Sequence, residues 1–265
     1  MGPSFKIMRI AGIPLLIHWT FLVLLAWFFF SPLVRGGPDA WGAALHSVGL
    51  VLGVFVCVVL HEFGHALTAR RFGIRTRDVT LLPIGGVARL ERMPENPVQE
   101  LIVAVAGPAV NVVIVALLVP LILVTMGPEA FRPPAEFRLG SVSIVVSLVW
   151  VNVMLVVFNM LPAFPMDGGR VLRAILAMAM PRANATRIAA AVGQGMSVLF
   201  AVVGFMVGNV LLMLIALFIF LGAAAEAKAT VAGEALRGVR VGDAMVRRFR
   251  VLFESDSLQD AADEL

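Results

Sequence analysis

Between Val48 and Leu60 the chain carries no ionisable side chain except Cys57, and this apolar run passes without a proline into His61-Glu62-Phe63-Gly64-His65. The surrounding stretch, residues 41–67, reads as one hydrophobic helix that delivers two histidines and a glutamate together. At 3.6 residues per turn, positions i and i+4 lie one above the other, so His61 and His65 can present imidazole nitrogens to one metal ion with Glu62 beside it. That is zinc-hydrolase geometry, with a structural His/Glu pair as the plain alternative. Placing such groups at the end of a hydrophobic helix costs on the order of a few kcal/mol per charge, so they usually have a functional partner. Cys57, at i−4 from His61, shares the stripe; it is either a metal neighbour or, more simply, a small buried apolar residue.

Composition decides what surrounds this helix. Of 265 residues, 60% are hydrophobic and 14% charged, with mean hydropathy +0.96. A soluble domain carries about 25% charged residues, so the chain is a polytopic membrane protein. The net charge of +4 is spread as arginines over short loops, which fits the positive-inside rule better than a nucleic-acid patch. A single cysteine excludes an intrachain disulfide.

Taken in order, residues 11–34 predict a first span, retained rather than cleaved, with Pro14 in its first turn and His18 either approaching the metal or, more simply, an interfacial or core residue. His46 lies about four turns from His61, outside any shared site. Residues 76–90 (TRDVTLLPIGGVARL) suggest a hairpin or re-entrant strand pair around Pro83-Ile84-Gly85-Gly86, or else an ordinary loop. An exposed strand edge there could hold an extended peptide. Residues 101–126 form a third span with Gly107-Pro108 as a small-residue, kinked surface and Asn111 bonding a neighbouring helix. Residues 141–161 form a fourth, with Asn159 in its last turn. The segment from Pro162 to Arg170 then interrupts the helix with two prolines and two glycines. Non-helical backbone at membrane depth is tolerated only where protein or a wet cavity surrounds it.

Asp167 sits in that break and is the only acidic residue between Glu136 and Glu226. It is a natural third ligand for a two-histidine zinc site; capping a helix from Gly168 or pairing with Arg170 are the alternatives. Residues 188–225 hold 38 positions without a charge, too many for one span of about 20 residues. A split near Gly204 to Asn209 makes a fifth and a sixth. The expected fold is therefore a polytopic α-helical membrane protein of about six transmembrane helices with a small membrane-associated β region. With the first residue inside, 18 of the 21 Lys and Arg fall on one side, which puts both termini in the cytoplasm and the HEFGH and Asp167 segments near that face. Residues 1–225 make the membrane domain and 226–240 a linker. Residues 241–265 are the start of a soluble domain too short to bury its own core.

With HEFGH on one span and NMLPAFPMDGG closing another, the chain resembles the site-2 protease family of intramembrane zinc metalloproteases across roughly residues 13–225. The resemblance implies that His61, His65 and Asp167 bind one Zn2+, that Glu62 is the general base, and that Asn159 positions substrate backbone. Gly107-Pro108-Ala109-Val110-Asn111 matches the family's GPxxN segment, and residues 76–90 look like its membrane-associated β region. Asn111, Gly85 and Gly86 are grouped with Asn159 as substrate-binding. The tail resembles the start of a truncated CBS domain, which implies the CBS-bearing branch and adenine nucleotide binding only with the domain complete. The implied activity is cleavage of a transmembrane protein substrate near the cytoplasmic face of the cell membrane, the family's substrates including anti-sigma factors and sigma-factor precursors. Two other readings are a metal transporter, with the cluster as a transit site, and a zinc-binding scaffold that does not cut. Transport would favour polar groups strung through the membrane, whereas this chain gathers its intramembrane acidic groups at one depth.

Overall fold

The computed structural model describes residues 4–132 and 143–235, with single positions at 245 and 259. The segment read as the opening of a CBS domain, 241–265, lies outside the described residues apart from those two positions.

The chain begins as sheet rather than helix. Strand β1 (Ser4–Ile10) turns through Ala11 and Gly12, both at positive φ (51° and 83°), into strand β2 (Ile13–His18), with Ile10 opposite Ile13. A two-residue turn of this hand matches the twist of the strands it joins. The expected first span over residues 11–34 is corrected accordingly. Pro14 pairs opposite Arg9 in the sheet, and helix α1 (Trp19–Arg35) begins only after His18, whose ring accepts the Thr20 N–H as the helix cap. Hydropathy could not separate the two forms, because strand and helix here are equally apolar. The discriminating signal is the period of two that buries Ile13 and Leu15.

β2 runs parallel to β3 (Thr76–Leu82), and β3 pairs antiparallel with β4 (Gly85–Leu90), giving the order β1-β2-β3-β4. The hairpin expected within 76–90 is formed, and β4 is an outer strand. The crossover from β2 to β3 consists of α1 and helix α2 (Ala40–Arg71), which pack against the sheet. Ile13, Leu15, Val79 and Leu81 meet Phe21, Val51, Phe55, Phe63 and Ala66 in this core, and Phe21 and Phe55 stack edge to face at 4.5 Å. The core seats α2 so that its HEFGH turn lies beside β4.

Helix α3 (Pro97–Thr125) starts from Asn96, whose side chain accepts the Val98 N–H. It crosses α2 closely, since a Cβ on Gly64 would stand 2.7 Å from the Ala106 carbonyl oxygen. Helices α4 (Ile144–Asn159), α5 (Asp167–Ala177), α6 (Arg182–Met206) and α7 (Val210–Ala235) follow. The long uncharged run breaks before Val210, with Gly208 at φ 65°, within the expected split. α7 continues through the first two thirds of the stretch read as a linker. Helices α2, α3, α6 and α7 are long and apolar enough to cross a membrane, while α1 and α4 are apolar but have 17 and 16 residues. At 1.5 Å per residue these two reach about 25 Å, short of a hydrocarbon layer of about 30 Å.

Where α3, α5, α6 and α7 meet, the Arg173 guanidinium is 2% exposed. Its Nε donates to Glu100 at 2.8 Å, a second nitrogen reaches the same oxygen, and a third reaches Glu226. Arg182 bonds the other Glu100 oxygen at 3.0 Å and the Pro94 carbonyl at 2.7 Å, and Arg173 lies 5.1 Å from the Phe164 ring centre. Arg173 and Glu100 thus neutralise one another out of water, with the partly exposed Glu226 and Arg182 completing the charge balance. Removing one partner of a buried pair costs about 3–5 kcal/mol, because the other charge is stranded. Arg173→Leu is expected to lower the thermal midpoint in detergent by about 10 °C, and Arg182→Leu, at a more exposed position, by less than half of that. A thermal melt of both variants checks the ranking.

Candidate metal centre

Two segments about a hundred residues apart meet at one point. His61 and His65 face the same way from α2, and Asp167 opens α5 directly after the break that ends α4. The glycines after Asp167 make this approach possible: a Cβ on Gly168 would lie 2.2 Å from the Leu161 carbonyl oxygen, and one on Gly169 would lie 2.6 Å from the Phe164 nitrogen. Only a bare backbone lets α5 press onto the loop that feeds it. Asp167 caps nothing and does not pair with Arg170; its Oδ2 lies 3.2 Å from His61 Nε2 and 3.1 Å from His65 Nε2. The two Nε2 atoms are 3.1 Å apart, and all three residues are buried.

The hydrogen bonds on the far side of each ring decide what these atoms are. His65 Nδ1 faces the Val103 carbonyl at 2.7 Å, an acceptor only, so it carries the proton and Nε2 carries a lone pair. His61 Nδ1 faces Asn111 Oδ1 at 2.5 Å, with the same consequence. Two imidazole lone pairs and a carboxylate oxygen therefore converge at 3.1–3.2 Å from one another. Such an arrangement repels itself unless a cation sits among the donors. A tetrahedral site with bonds of about 2.0–2.1 Å has ligand-to-ligand edges of about 3.3 Å, so the donor set fits Zn2+ in both chemistry and spacing. Gly107 on α3 keeps the seat open. A Cβ there would fall 2.2 Å from His65 Nε2 and 2.7 Å from His61 Nε2.

Glu62 lies between this trio and the sheet, where its Oε2 accepts the Ala88 N–H of β4 at 3.1 Å. That amide is turned outward from β3, so the open edge of β4 runs along Glu62. Gly86 permits the contact, since a Cβ on it would stand 2.8 Å from Glu62 Cγ. The hairpin behind it is pinned by Arg89, which grips both oxygens of Asp78. The Asp78 carboxylate raises the Arg89 guanidinium above its ordinary value, so this cation does not titrate at working pH.

The remaining sequence candidates separate. Gly86 lies against Glu62, whereas Gly85, at φ 136° with nothing near its missing side chain, serves the turn. Asn159 ends α4 partly exposed, and among the described residues its side chain makes no hydrogen bond. Asn111 is fully buried and held on both sides by protein, His61 through Oδ1 and Asn152 through Nδ2, the latter being the bond to a neighbouring helix expected of it. Cys57 is buried with its sulfur 3.2 Å from Asn152 Nδ2, and is no metal neighbour. Asn152 escaped the sequence reading; its one signal was an amide in the middle of a predominantly apolar helix.

Comparisons with known proteins bear on this geometry. The model of Peptidase family M50 matches residues 49–137 and 132–203. A zinc metalloprotease of Methanocaldococcus jannaschii is 32% identical over 245 residues, covering 92% of this chain and 67% of the relative. Rip3 of Mycobacterium tuberculosis is 34% identical over 263 residues, covering 92% and 64%. Among solved structures, the site-2 protease from Methanocaldococcus jannaschii superposes with a TM-score of 0.58 at 29% identity, covering 95% of this chain and all of that one. The chain thus spans about two thirds of the length of these curated relatives. A family match over more than half of the residues, which takes in both the HEFGH helix and the Asp167 segment, makes this chain a member of peptidase family M50, the zinc metalloproteases.

Proposed function

We propose that the chain hydrolyses a peptide bond within a transmembrane segment of a membrane-bound protein, close to the cytoplasmic face. His61, His65 and Asp167 hold zinc, and Glu62 acts as general base. The observation that carries this reading is the convergence of three buried lone-pair donors beside a carboxylate that itself stands at an open strand edge. Family membership favours hydrolysis over a transport or scaffold role.

Zinc in that seat supplies Lewis-acid chemistry, acidifying a water and polarising the scissile carbonyl. Glu62 takes the proton of the attacking water and returns it to the leaving amine. The Ala88 N–H holds its carboxylate in place for both transfers. Amides inside a helix are already hydrogen-bonded, so the substrate must unwind before it can react. β4, an outer strand running past Glu62, offers backbone groups to the unwound segment, and strand addition of this kind needs no particular sequence. Asn159, whose side chain has no hydrogen-bond partner among the described residues, gives its amide to the same backbone.

In this reading α2, α3, α6 and α7 cross the cell membrane by their own length, the shorter apolar helices α1 and α4 cross where the bilayer thins around them, and the Lys and Arg distribution puts both termini in the cytoplasm. Residues 241–265 open a CBS domain, with adenine nucleotide as a ligand only of the complete domain. Substrates of the class of anti-sigma factors and sigma-factor precursors fit a site on the cytoplasmic side. Purified protein in detergent, given a single-span model substrate, is expected to yield products whose masses locate the cut inside the apolar segment, in its cytoplasmic half. Cuts confined to the soluble flanks would overturn the intramembrane assignment.

A further inference from the structure

His61 and His65 must both present Nε2 as a lone pair, yet they achieve it by different means. His65 donates its Nδ1 proton to a backbone carbonyl, that of Val103, which can only accept. His61 donates to a side-chain amide, and an amide can be turned around. With Asn111 flipped, its NH2 would face His61 Nδ1, that nitrogen would become the acceptor, and the ring proton would move to Nε2, where it blocks a metal. Something must therefore hold Asn111 the right way round.

We infer that Asn152 on α4 is a positioning residue for the metal site, selecting the orientation of Asn111 and through it the nitrogen of His61 that is free to bind zinc. Asn111 Nδ2 donates to Asn152 Oδ1 at 2.7 Å, and Asn152 Nδ2 donates to the Leu148 carbonyl at 2.8 Å and lies 3.2 Å from Cys57 Sγ. The Leu148 carbonyl has no proton to give, so it fixes which end of Asn152 is the donor. Each link then fixes the next: Leu148 orients Asn152, Asn152 orients Asn111, and Asn111 sets the His61 tautomer. Both amides are fully buried, so no water competes for these groups. Partners behind a ligating histidine commonly change metal affinity by about 10–100-fold.

The inference rests on His61 being a ligand, and the test separates the two claims. Zinc affinity of the full chain in detergent is measured by competition with a chelator for wild type, His61→Ala, Asn152→Leu, Asn111→Asp and the Asn111→Asp/Asn152→Leu double variant. His61→Ala is expected to abolish tight binding; unchanged affinity there would defeat the ligand reading and this inference with it. Asn152→Leu is expected to weaken zinc by about tenfold or more. A carboxylate at position 111 has two equivalent oxygens and cannot be misoriented, and one of them would face Asn152 Oδ1 unfavourably. In that background Asn152→Leu should therefore cost nothing or improve binding. A loss of equal size in both backgrounds would make Asn152 a packing residue only, and no loss in the first would dismiss it altogether. Because any packing defect is common to both backgrounds, a difference between them reports the amide relay.

Discussion

Glu62→Gln is expected to leave zinc content at about one ion per chain while slowing cleavage of a single-span substrate by about 10²–10⁴-fold. The carboxylate is not among the three converging donors; it lies on the sheet side, accepting the Ala88 N–H. A glutamine keeps that bond through its carbonyl oxygen and keeps the shape, so the substitution removes proton acceptance and little else. Wild type and variant are compared side by side for product formation and for bound zinc. A variant that loses its metal would make Glu62 a ligand and revive the transport reading. One that cuts at the wild-type rate would take away its role as base.

The second large effect is expected from a single methyl group. Gly107→Ala places a carbon within 2.2 Å of His65 Nε2 and 2.7 Å of His61 Nε2, so both rings would have to move. Neither can move freely, since each is tethered behind, by Val103 and by Asn111. The variant is expected to lose zinc binding by at least about 100-fold, more than the loss of one supporting hydrogen bond, and to lose activity with it. Gly195→Ala on α6 is the matched control, because a Cβ there meets nothing within 4 Å. In a helix interior that exchange is neutral or stabilising by up to about 1 kcal/mol. Full zinc occupancy in Gly107→Ala would show that the ion sits elsewhere.

Much of the site was legible beforehand for a local reason. The i, i+4 spacing of His61 and His65 is a property of any helix, and the apolar run that carries them guarantees one. Asp167 stood out because a lone carboxylate in a long stretch of membrane sequence without other acids has few other uses. The hairpin that places β4 beside Glu62 was visible in its β-type residues and its Pro-Ile-Gly-Gly turn. The N-terminal hairpin was not, because residues 11–34 are apolar throughout and hydropathy outweighed the short alternation of β2.

Composition, helical periodicity and the rarity of charge at membrane depth were thus sufficient to state the class of the fold and three candidate ligands, while the base role of Glu62 came from the family resemblance. Each of these follows from interactions within one segment or from the cost of placing that segment in lipid. Which polar side chains touch was decided only by the packing of helices that are distant in sequence. Gly64, Gly107 and Gly168 let backbones approach closely enough for α2, α3 and α5 to share one site. Asn111 met His61, and Asn152 and Arg173 found their partners, because a buried amide or charge takes its meaning from what it bonds. Those partners lie between 41 and 73 residues away along the chain, beyond the reach of any local pattern.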